Sequence, residues 1–286
     1  MLILGSDAGD GRVAACYVAH LMGCALSERA PERRPQGCSW EDVLSRAREN
    51  GVLGLVWRAA RGLDGIPEDA RRSCERHSRM IALHNVRYEA ERSAVCEALR
   101  AEGLSVMALK GSPLVACYPD YSMREVGDND VLYGLVGEGG DGRFYGHTVG
   151  DDAIVASDQK LVSRIMGGLG YALAPKDDEC HLRFYKEPGL CFELHHALFE
   201  HSTPFYGYYE NPWAHARSCG GDEAAGLAVL GTAPGKAFSL PPEDELVYAI
   251  AHAWKHSRNN GTGIRVVADL IVIVTTAKEF DWGLCS

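Results

Sequence analysis

One stretch of the chain, residues 104–133, limits the possible folds more than any other, because it places a tight loop and an acidic pair between apolar segments. Residues 104–109 form a short apolar run that predicts a buried strand. A Lys-Gly-Ser loop follows at 110–112, and Pro113 after a serine is typical of a helix start. After a turn, residues 125–133 predict a second strand. The sequence thus predicts a strand, a tight loop, a short helix and another strand.

Two aspartates on the second predicted strand point to a bound cation. Asp128 and Asp130 are two residues apart, so on a strand both carboxylates project from the same face. Like charges this close repel each other unless a cation lies between them. Carboxylates, with substrate phosphates completing the shell, are ligands that Mg²⁺ prefers. Backbone N–H groups at the predicted helix start, with Lys110 beside them, suit a polyphosphate.

This arrangement resembles the nucleotidyltransferase fold of the polymerase-beta type, in which a Gly-Ser loop opens a helix and an Asp-x-Asp pair follows. It is more closely similar to a bacterial family of uncharacterised nucleotidyltransferases with the pattern Leu-Lys-Gly, Tyr-Pro-Asp, Arg and Gly-Asp-x-Asp. Residues 109–111, 118–120, Arg124 and 127–130 match that pattern in order, with Asn129 where the family has an apolar residue. The resemblance implies an α+β fold, a small mixed sheet with flanking N-terminal and C-terminal helical subdomains.

A later hairpin supplies a third acidic residue. Residues 181–186 and 190–195, separated by a Glu-Pro-Gly turn, predict two strands, with Glu193 and His195 on one face. By position alone, the favoured interpretation of Glu193 is a surface residue on one face of the hairpin. In nucleotidyltransferases of this fold a third acidic residue on a neighbouring strand completes the metal site, so the resemblance implies this role for Glu193. His195 either orients a phosphate or a ligand carboxylate, or is a partly buried structural histidine.

The resemblance continues near the end of the chain, where His252, His256, Arg265 and an Asp-Leu pair at 269–270 match a late family pattern. Arg265 and Asp269 are also spaced to pair along a helix. The expected metal ligands, which are also the expected catalytic residues, are Asp128, Asp130 and Glu193; the expected nucleotide-binding residues are Lys110, Gly111, Ser112, Arg124, His195 and Arg265.

Helical patterns flank the predicted core. A capping pattern at Ser39 predicts a helix start, and residues 67–101 predict a long helix stopped by Gly103. A glycine-rich insertion within the core is either a plain surface loop or a mobile lid. The predicted division is an N-terminal helical subdomain (1–102), a nucleotidyltransferase core (103–216) with its insertion (134–156), a linker (217–235) and a C-terminal helical subdomain (236–286).

Composition narrows the classes of partner. The 286 residues carry a formal net charge of −10, so we expect neither an extended nucleic-acid surface nor a membrane partner. The first residues are too short an apolar run for a signal peptide, and no apolar stretch is long enough to span a bilayer. The ten cysteines contain no Cys-x-x-Cys, so a zinc site of the usual spacing is unsupported. We expect a cytoplasmic protein with reduced thiols.

The expected activity is metal-dependent transfer of a nucleoside monophosphate from an NTP to a hydroxyl, with release of pyrophosphate and with Mg²⁺ or Mn²⁺ as cofactor. Two cations about 4 Å apart steady the attacking and leaving oxygens in such reactions. The acceptor could be a protein, an RNA end or a small molecule, because the fold alone does not choose. Two alternatives stay open: a non-catalytic relative that binds a nucleotide or a partner protein for regulation, and a hydrolase or nuclease that uses the same carboxylates.

Overall fold

The computed structural model describes residues 10–146, 152–175, 179–219, 237–259 and 263–285. Nine helices and nine strands are assigned within these residues. The helices are α1 (Asp10–Leu26), α2 (Trp40–Glu49), α3 (Leu53–Ala60), α4 (Glu68–Ala101), α5 (Gly111–Leu114), α6 (Asp152–Gly168), α7 (Tyr206–Tyr209), α8 (Pro242–Asn259) and α9 (Arg265–Thr276). The strands are β1 (Ser105–Leu109), β2 (Asn129–Gly134), β3 (Val136–Glu138), β4 (Phe144–Gly146), β5 (Ala172–Leu173), β6 (His181–Lys186), β7 (Leu190–His195), β8 (Arg217–Ser218) and β9 (Ala237–Ser239).

The chain forms two compact units, and the division between them falls within α4, after Val86. The first unit contains the described residues within 1–86, 114–126 and 246–280, and the second contains those within 87–113, 127–245 and 281–286. The predicted linker 217–235 lies outside the described residues from position 220 onward, and so do residues 147–151 of the predicted insertion. The division into four parts predicted from the sequence stays a prediction.

The first unit is helical. Helices α1, α2 and α3 pack against one another, and their apolar faces are buried. Ser39 is the N-cap of α2, because its side chain accepts a 3.0 Å hydrogen bond from the backbone N–H of Asp42, as the capping pattern predicts. The predicted long helix is also confirmed as α4. Helix α4 ends at Ala101, and the positive φ of 90° at Gly103 then turns the chain toward β1.

A buried polar network fixes residues 114–126 within the first unit. Arg124 donates to both carboxylate oxygens of Asp269 on α9, at 2.8 and 3.0 Å, and the Tyr118 hydroxyl donates to the same carboxylate at 2.6 Å. The side chain of Asn85 donates to the backbone oxygens of residues 121 and 124. Asp269 therefore bonds Arg124 and Tyr118, which are both distant from it in sequence. The spacing of Arg265 and Asp269 along α9 does not reveal these partners.

A seven-stranded mixed sheet forms the centre of the second unit, in the order β5-β6-β7-β2-β1-β9-β8. Strand β2 pairs antiparallel with β1 and parallel with β7, and β7 pairs antiparallel with β6. All residues of β2 are buried, consistent with a central strand covered on both faces. The α+β fold with a small mixed sheet is thus confirmed, as is the predicted β6–β7 hairpin.

Two local predictions around the acidic pair were wrong in extent. The helix expected from Pro113 begins at Gly111 and has four residues, followed by a 3₁₀ turn at Val115–Cys117. The second strand begins at Asn129 rather than near residue 125, because the backbone N–H of Val126 donates to the Asn85 side chain instead of to a strand. Asp128 therefore lies immediately before β2.

Candidate active site

Three neighbouring strands bring polar side chains to one region of the sheet. In the β2–β7 register Asp130 lies beside Glu193, and in the β6–β7 register Arg183 lies beside Glu193. One step further along the hairpin, His181 lies beside His195. Because residues two apart on a strand share a face, Glu193 and His195 project from the same side of β7. We call these five residues, together with Asp128 and Lys110, the polar row.

Three carboxylates of the polar row form an acidic cluster. Asp128, Asp130 and Glu193 each place an oxygen within 4.8 Å of the others. Asp130 is buried, and the other two are partly buried. Because ionised carboxylates this close repel each other, a cation would stabilise the cluster. Carboxylate oxygens are hard ligands, so the donor set fits Mg²⁺ or Mn²⁺.

Asp130 pairs with Lys110 and His195. Its Oδ1 atom accepts the Lys110 ammonium at 2.8 Å and the Nε2 of His195 at 3.0 Å. Burial on its own raises the pKa of this carboxyl, but the positive charge of Lys110 and the hydrogen bonds from His195 and Lys110 hold the pKa well below its usual range. Asp130 is therefore ionised at any physiological pH.

His195 is a neutral hydrogen-bond donor in this setting. Burial is the main cause that lowers its pKa below the ordinary value, the hydrogen bond to Asp130 acts in the opposite direction, and the Lys110 charge lowers it further. Since an ionised carboxylate can only accept, Nε2 carries the proton. Because His195 is buried and also contacts Asp130, both interpretations left open by the sequence stay predictions.

Glu193 is held by Arg183 and lies near His181, two residues that sequence reasoning missed. Arg183 donates to its Oε1 from Nε at 3.0 Å and from Nη2 at 2.8 Å, while the His181 Nε2 lies 3.7 Å from the same oxygen. The turn at 187–189 could have revealed both. A hairpin folded about that turn sets Arg183 opposite Glu193 and His181 opposite His195.

The Lys-Gly-Ser loop at residues 110–112 has a different geometry in the structure from the one predicted from the sequence. Lys110 adopts the left-handed region with φ of 52°, and its ammonium contacts Asp130. Ser112 is buried within α5. A four-residue helix has little summed dipole, so it does not by itself make an anion site. Phosphate binding by Lys110, Gly111 and Ser112 stays a prediction.

The two predicted arginines belong to the first unit. Arg124 is buried and bonds Asp269 as described above, and Arg265 donates to the backbone oxygen of Glu125 at 3.3 Å. Their part in nucleotide binding stays a prediction. The departure at Asn129 has a structural reason: its buried side chain donates to the backbone oxygen of Tyr88 on α4 at 3.0 Å, within the second unit.

Comparisons with known proteins bear on the family. No curated protein matches the sequence. A crystal structure of an antigenic nucleotidyltransferase-like protein from Paracoccidioides brasiliensis is similar at 12% identity, with a TM-score of 0.39, over 66% of this chain and 76% of that chain. The model of a family described as uncharacterised nucleotidyltransferases matches residues 36–135 and 148–285. Because these segments cover most of its length, the chain belongs to the uncharacterised nucleotidyltransferase family.

Proposed function

We propose that this protein transfers a nucleoside monophosphate from an NTP to a hydroxyl acceptor and releases pyrophosphate, with Mg²⁺ or Mn²⁺ held by Asp128, Asp130 and Glu193. The observation that carries the proposal is the acidic cluster, whose three carboxylate oxygens lie within 4.8 Å of one another. Its position beside a Lys-Gly-Ser loop, in a chain of this family, supports a nucleotide rather than a metabolite without phosphate.

The chain's own residues have separable roles in this proposal. A bound divalent cation supplies charge stabilisation for the transferred phosphoryl group and orients the reacting oxygens. Asp128 and Asp130 bind it with ionised carboxylates, and His195 keeps Asp130 oriented through its 3.0 Å hydrogen bond. Arg183 holds Glu193 in place from the next strand. Lys110, which neutralises Asp130 in the structure, is positioned to exchange that contact for a phosphate oxygen.

The acceptor is proposed as a class, namely a hydroxyl of a protein, an RNA end or a small molecule. A chain with a formal charge of −10 gives little general attraction for nucleic acid, so an RNA acceptor would be held through one end rather than along a surface. No helix among the described residues has the length and apolar character needed to cross a membrane.

The test is transfer of label from α-labelled NTPs in the presence of Mg²⁺ or Mn²⁺, with and without cell extract. The double variant Asp128→Asn with Asp130→Asn should lose transfer by at least about a hundredfold, because the charges that bind the cation are removed. Glu102→Gln is the matched control, since Glu102 is an exposed carboxylate that pairs with Arg164 on the surface of the same unit.

Each outcome of this experiment separates the proposal from its alternatives. Label on an acceptor in wild type and in Glu102→Gln, but not in the double Asp variant, supports transfer. Release of free nucleoside monophosphate without acceptor labelling would instead indicate a hydrolase. Metal-dependent NTP binding without any product would indicate a non-catalytic, regulatory relative.

A further inference from the structure

A second set of metal-ligand atoms lies on the polar row, beside the acidic cluster. His181, Glu193 and His195 each offer a ligand atom within 4.8 Å of the other two. The side chain of His181 is only 7% exposed, that of His195 6% and that of Glu193 13%. His181 has no part in the proposed transfer reaction, yet it points a ring nitrogen at a carboxylate in a nearly buried position.

The distances suit a single small cation. The Nε2 of His181 is 3.7 Å from one oxygen of Glu193, and the Nε2 of His195 is 3.8 Å from the other oxygen. The His195 Nε2 donates to Asp130 in the structure, so a metal bound there would replace that hydrogen bond and the proton would move to Nδ1, which has no hydrogen-bond partner among the described residues. Metal–nitrogen and metal–oxygen bonds of about 2.0–2.2 Å in a tetrahedron set ligand atoms roughly 3.4 Å apart. The ligand atoms of the three residues lie within 4.8 Å of one another, so side-chain adjustment without movement of the strands would bring them to bonding positions.

The backbone already fixes the two strands that carry the ligands. His181 and His195 are direct partners in the β6–β7 ladder, and Glu193 is two residues from His195 on the same strand. The imidazole ring centroids are 4.8 Å apart. Ligands held on paired strands lose little conformational entropy on binding, so the arrangement is pre-organised for a cation.

The local charge also favours a cation. Both hydrogen bonds from Arg183 go to Oε1 of Glu193, whereas Oε2 is the oxygen nearer to His195. Across the polar row, the three carboxylates outnumber the two cationic side chains, Lys110 and Arg183. A divalent ion therefore enters a region with excess negative charge.

We propose that His181, Glu193 and His195 form a second metal site that selects a first-row transition ion such as Zn²⁺ over Mg²⁺. Two imidazole nitrogens and one carboxylate oxygen are donors of the borderline type that Zn²⁺ prefers, whereas Mg²⁺ prefers oxygen alone. The site is distinct from the acidic cluster in its histidines and shares only Glu193 with it.

The test is metal binding, so it does not depend on the proposed transfer activity. Titration of the full chain with Zn²⁺, followed by calorimetry, should show one site that millimolar Mg²⁺ does not displace. An exposed pair on α8, His252 and His256, has its Nε2 atoms 3.1 Å apart and could chelate the same ion. All proteins in the test therefore carry His252→Gln and His256→Gln.

Two further variants in that background decide between the sites. His181→Ala should weaken Zn²⁺ binding at least about tenfold, because one of three protein ligands is lost. Asp128→Asn should leave Zn²⁺ binding unchanged, because Asp128 belongs only to the acidic cluster. The reverse pattern, in which Asp128→Asn loses Zn²⁺ and His181→Ala keeps it, would overturn the proposal and assign the ion to the acidic cluster.

A spectroscopic measurement makes the test independent of how His181→Ala folds. Stoichiometric Co²⁺ added to the background protein should give visible absorption bands of a four- or five-coordinate nitrogen and oxygen site, and Zn²⁺ should remove them. Circular dichroism of His181→Ala and of the milder His181→Gln reports whether each is folded. A Co²⁺ spectrum identical to that of the free aqueous ion would overturn the proposal.

Discussion

At the scale of single residues, Asp130 is a buried carboxylate of the acidic cluster. One of its oxygens accepts both the Lys110 ammonium and the His195 imidazole. A buried carboxylate is tolerated only when it is paired, so these contacts keep an anion inside the sheet that would otherwise be protonated. Under the proposed function, a divalent cation would replace Lys110 beside Asp130.

This exchange gives a prediction for Lys110→Met, which keeps the length of the side chain and removes its charge. The variant should lose about 3 kcal/mol of unfolding free energy, because removing one partner of a buried ion pair leaves the other charge uncompensated. Millimolar Mn²⁺ should restore part of that loss by replacing the ammonium beside Asp130. Urea denaturation with and without Mn²⁺ measures both effects.

Lys186→Met is the matched control for that experiment. Lys186 pairs with Glu91 in the same unit through a partly exposed contact at 3.0 Å, away from the acidic cluster. Its loss should lower stability by a smaller amount, and Mn²⁺ should not restore it. Equal responses of the two variants to Mn²⁺ would contradict the exchange.

Asp158 on α6 is a second buried carboxylate, with a different setting. It is 7% exposed, no hydrogen bond to its Oδ2 occurs among the described residues, and burial raises its pKa above the ordinary value. A raised pKa in the folded state means that the unfolded chain loses the proton first as pH rises. Stability is therefore lost as pH increases through the folded pKa.

Asp158→Asn should consequently stabilise the protein at about pH 7, by about 1 kcal/mol, because a buried unsatisfied charge is removed. The gain should shrink toward about pH 4, where the carboxyl of the wild type is increasingly protonated. Urea denaturation at the two pH values measures the difference. A gain of the same size at both would show that charge is not the cause.

At the scale of elements, close backbone packing fixes helix α3. A Cβ built on Gly54 would lie 1.9 Å from the backbone oxygen of Ser122 and 3.0 Å from its carbonyl carbon. Backbone atoms cannot move aside as the end of a flexible side chain can. The glycine therefore allows α3 to approach the segment 120–123 within the first unit, and this segment leads to the buried Arg124.

Gly54→Ala should lower the unfolding free energy by about 2 kcal/mol, the usual range for overpacking a well-packed contact. Gly23→Ala in the middle of α1 is the matched control, because nothing lies within 4 Å of its added Cβ and its φ is that of a helix. That variant should gain about 0.5 kcal/mol through helix propensity. Thermal unfolding measures the change in stability of each variant relative to wild type. Changes of the same sign in the two variants would refute the packing argument.

At the scale of the whole molecule, most cysteines behave as small buried hydrophobic residues. Six of the described cysteines are buried, and Cys74 and Cys96 are completely buried. Burial raises the pKa of Cys96 to about 11. Burial, followed by the charges of Asp128 and Glu193, raises that of Cys191 to about 12. In the folded chain these thiols therefore stay protonated at pH values well above 9, the ordinary pKa of a cysteine thiol.

The protein should therefore lose stability as the pH rises above about 9, because unfolded thiols ionise while folded ones do not. Each such thiol contributes about 1 kcal/mol to the loss by about pH 10. Urea denaturation at about pH 8 and about pH 10 measures the slope. Cys96→Ala should be less stable than wild type at both values but with a shallower slope; an unchanged slope would exclude Cys96 as a source.

Much of the architecture follows from local pattern. The β1 strand, the long α4 helix, the Ser39 cap and the β6–β7 hairpin were all predicted, because each depends on periodicity, capping or turn residues within a short window. The α5 helix and the start of β2 were misjudged. For β2, the start depends on the Asn85 side chain, which is distant in sequence and accepts the hydrogen bond of the Val126 backbone N–H.

The sequence by itself determined the acidic pair, since residue identity and the alternation of a strand suffice for it. The third carboxylate and the α+β class followed from the resemblance to the family. Only the tertiary structure decided which side chains meet. Strand register set His181 and Arg183 opposite His195 and Glu193. Chain folding brought Lys110 to Asp130 and Arg124 to Asp269. Such partners depend on strand register and on burial, which bring charges together from distant parts of the chain. Local sequence pattern does not contain this information.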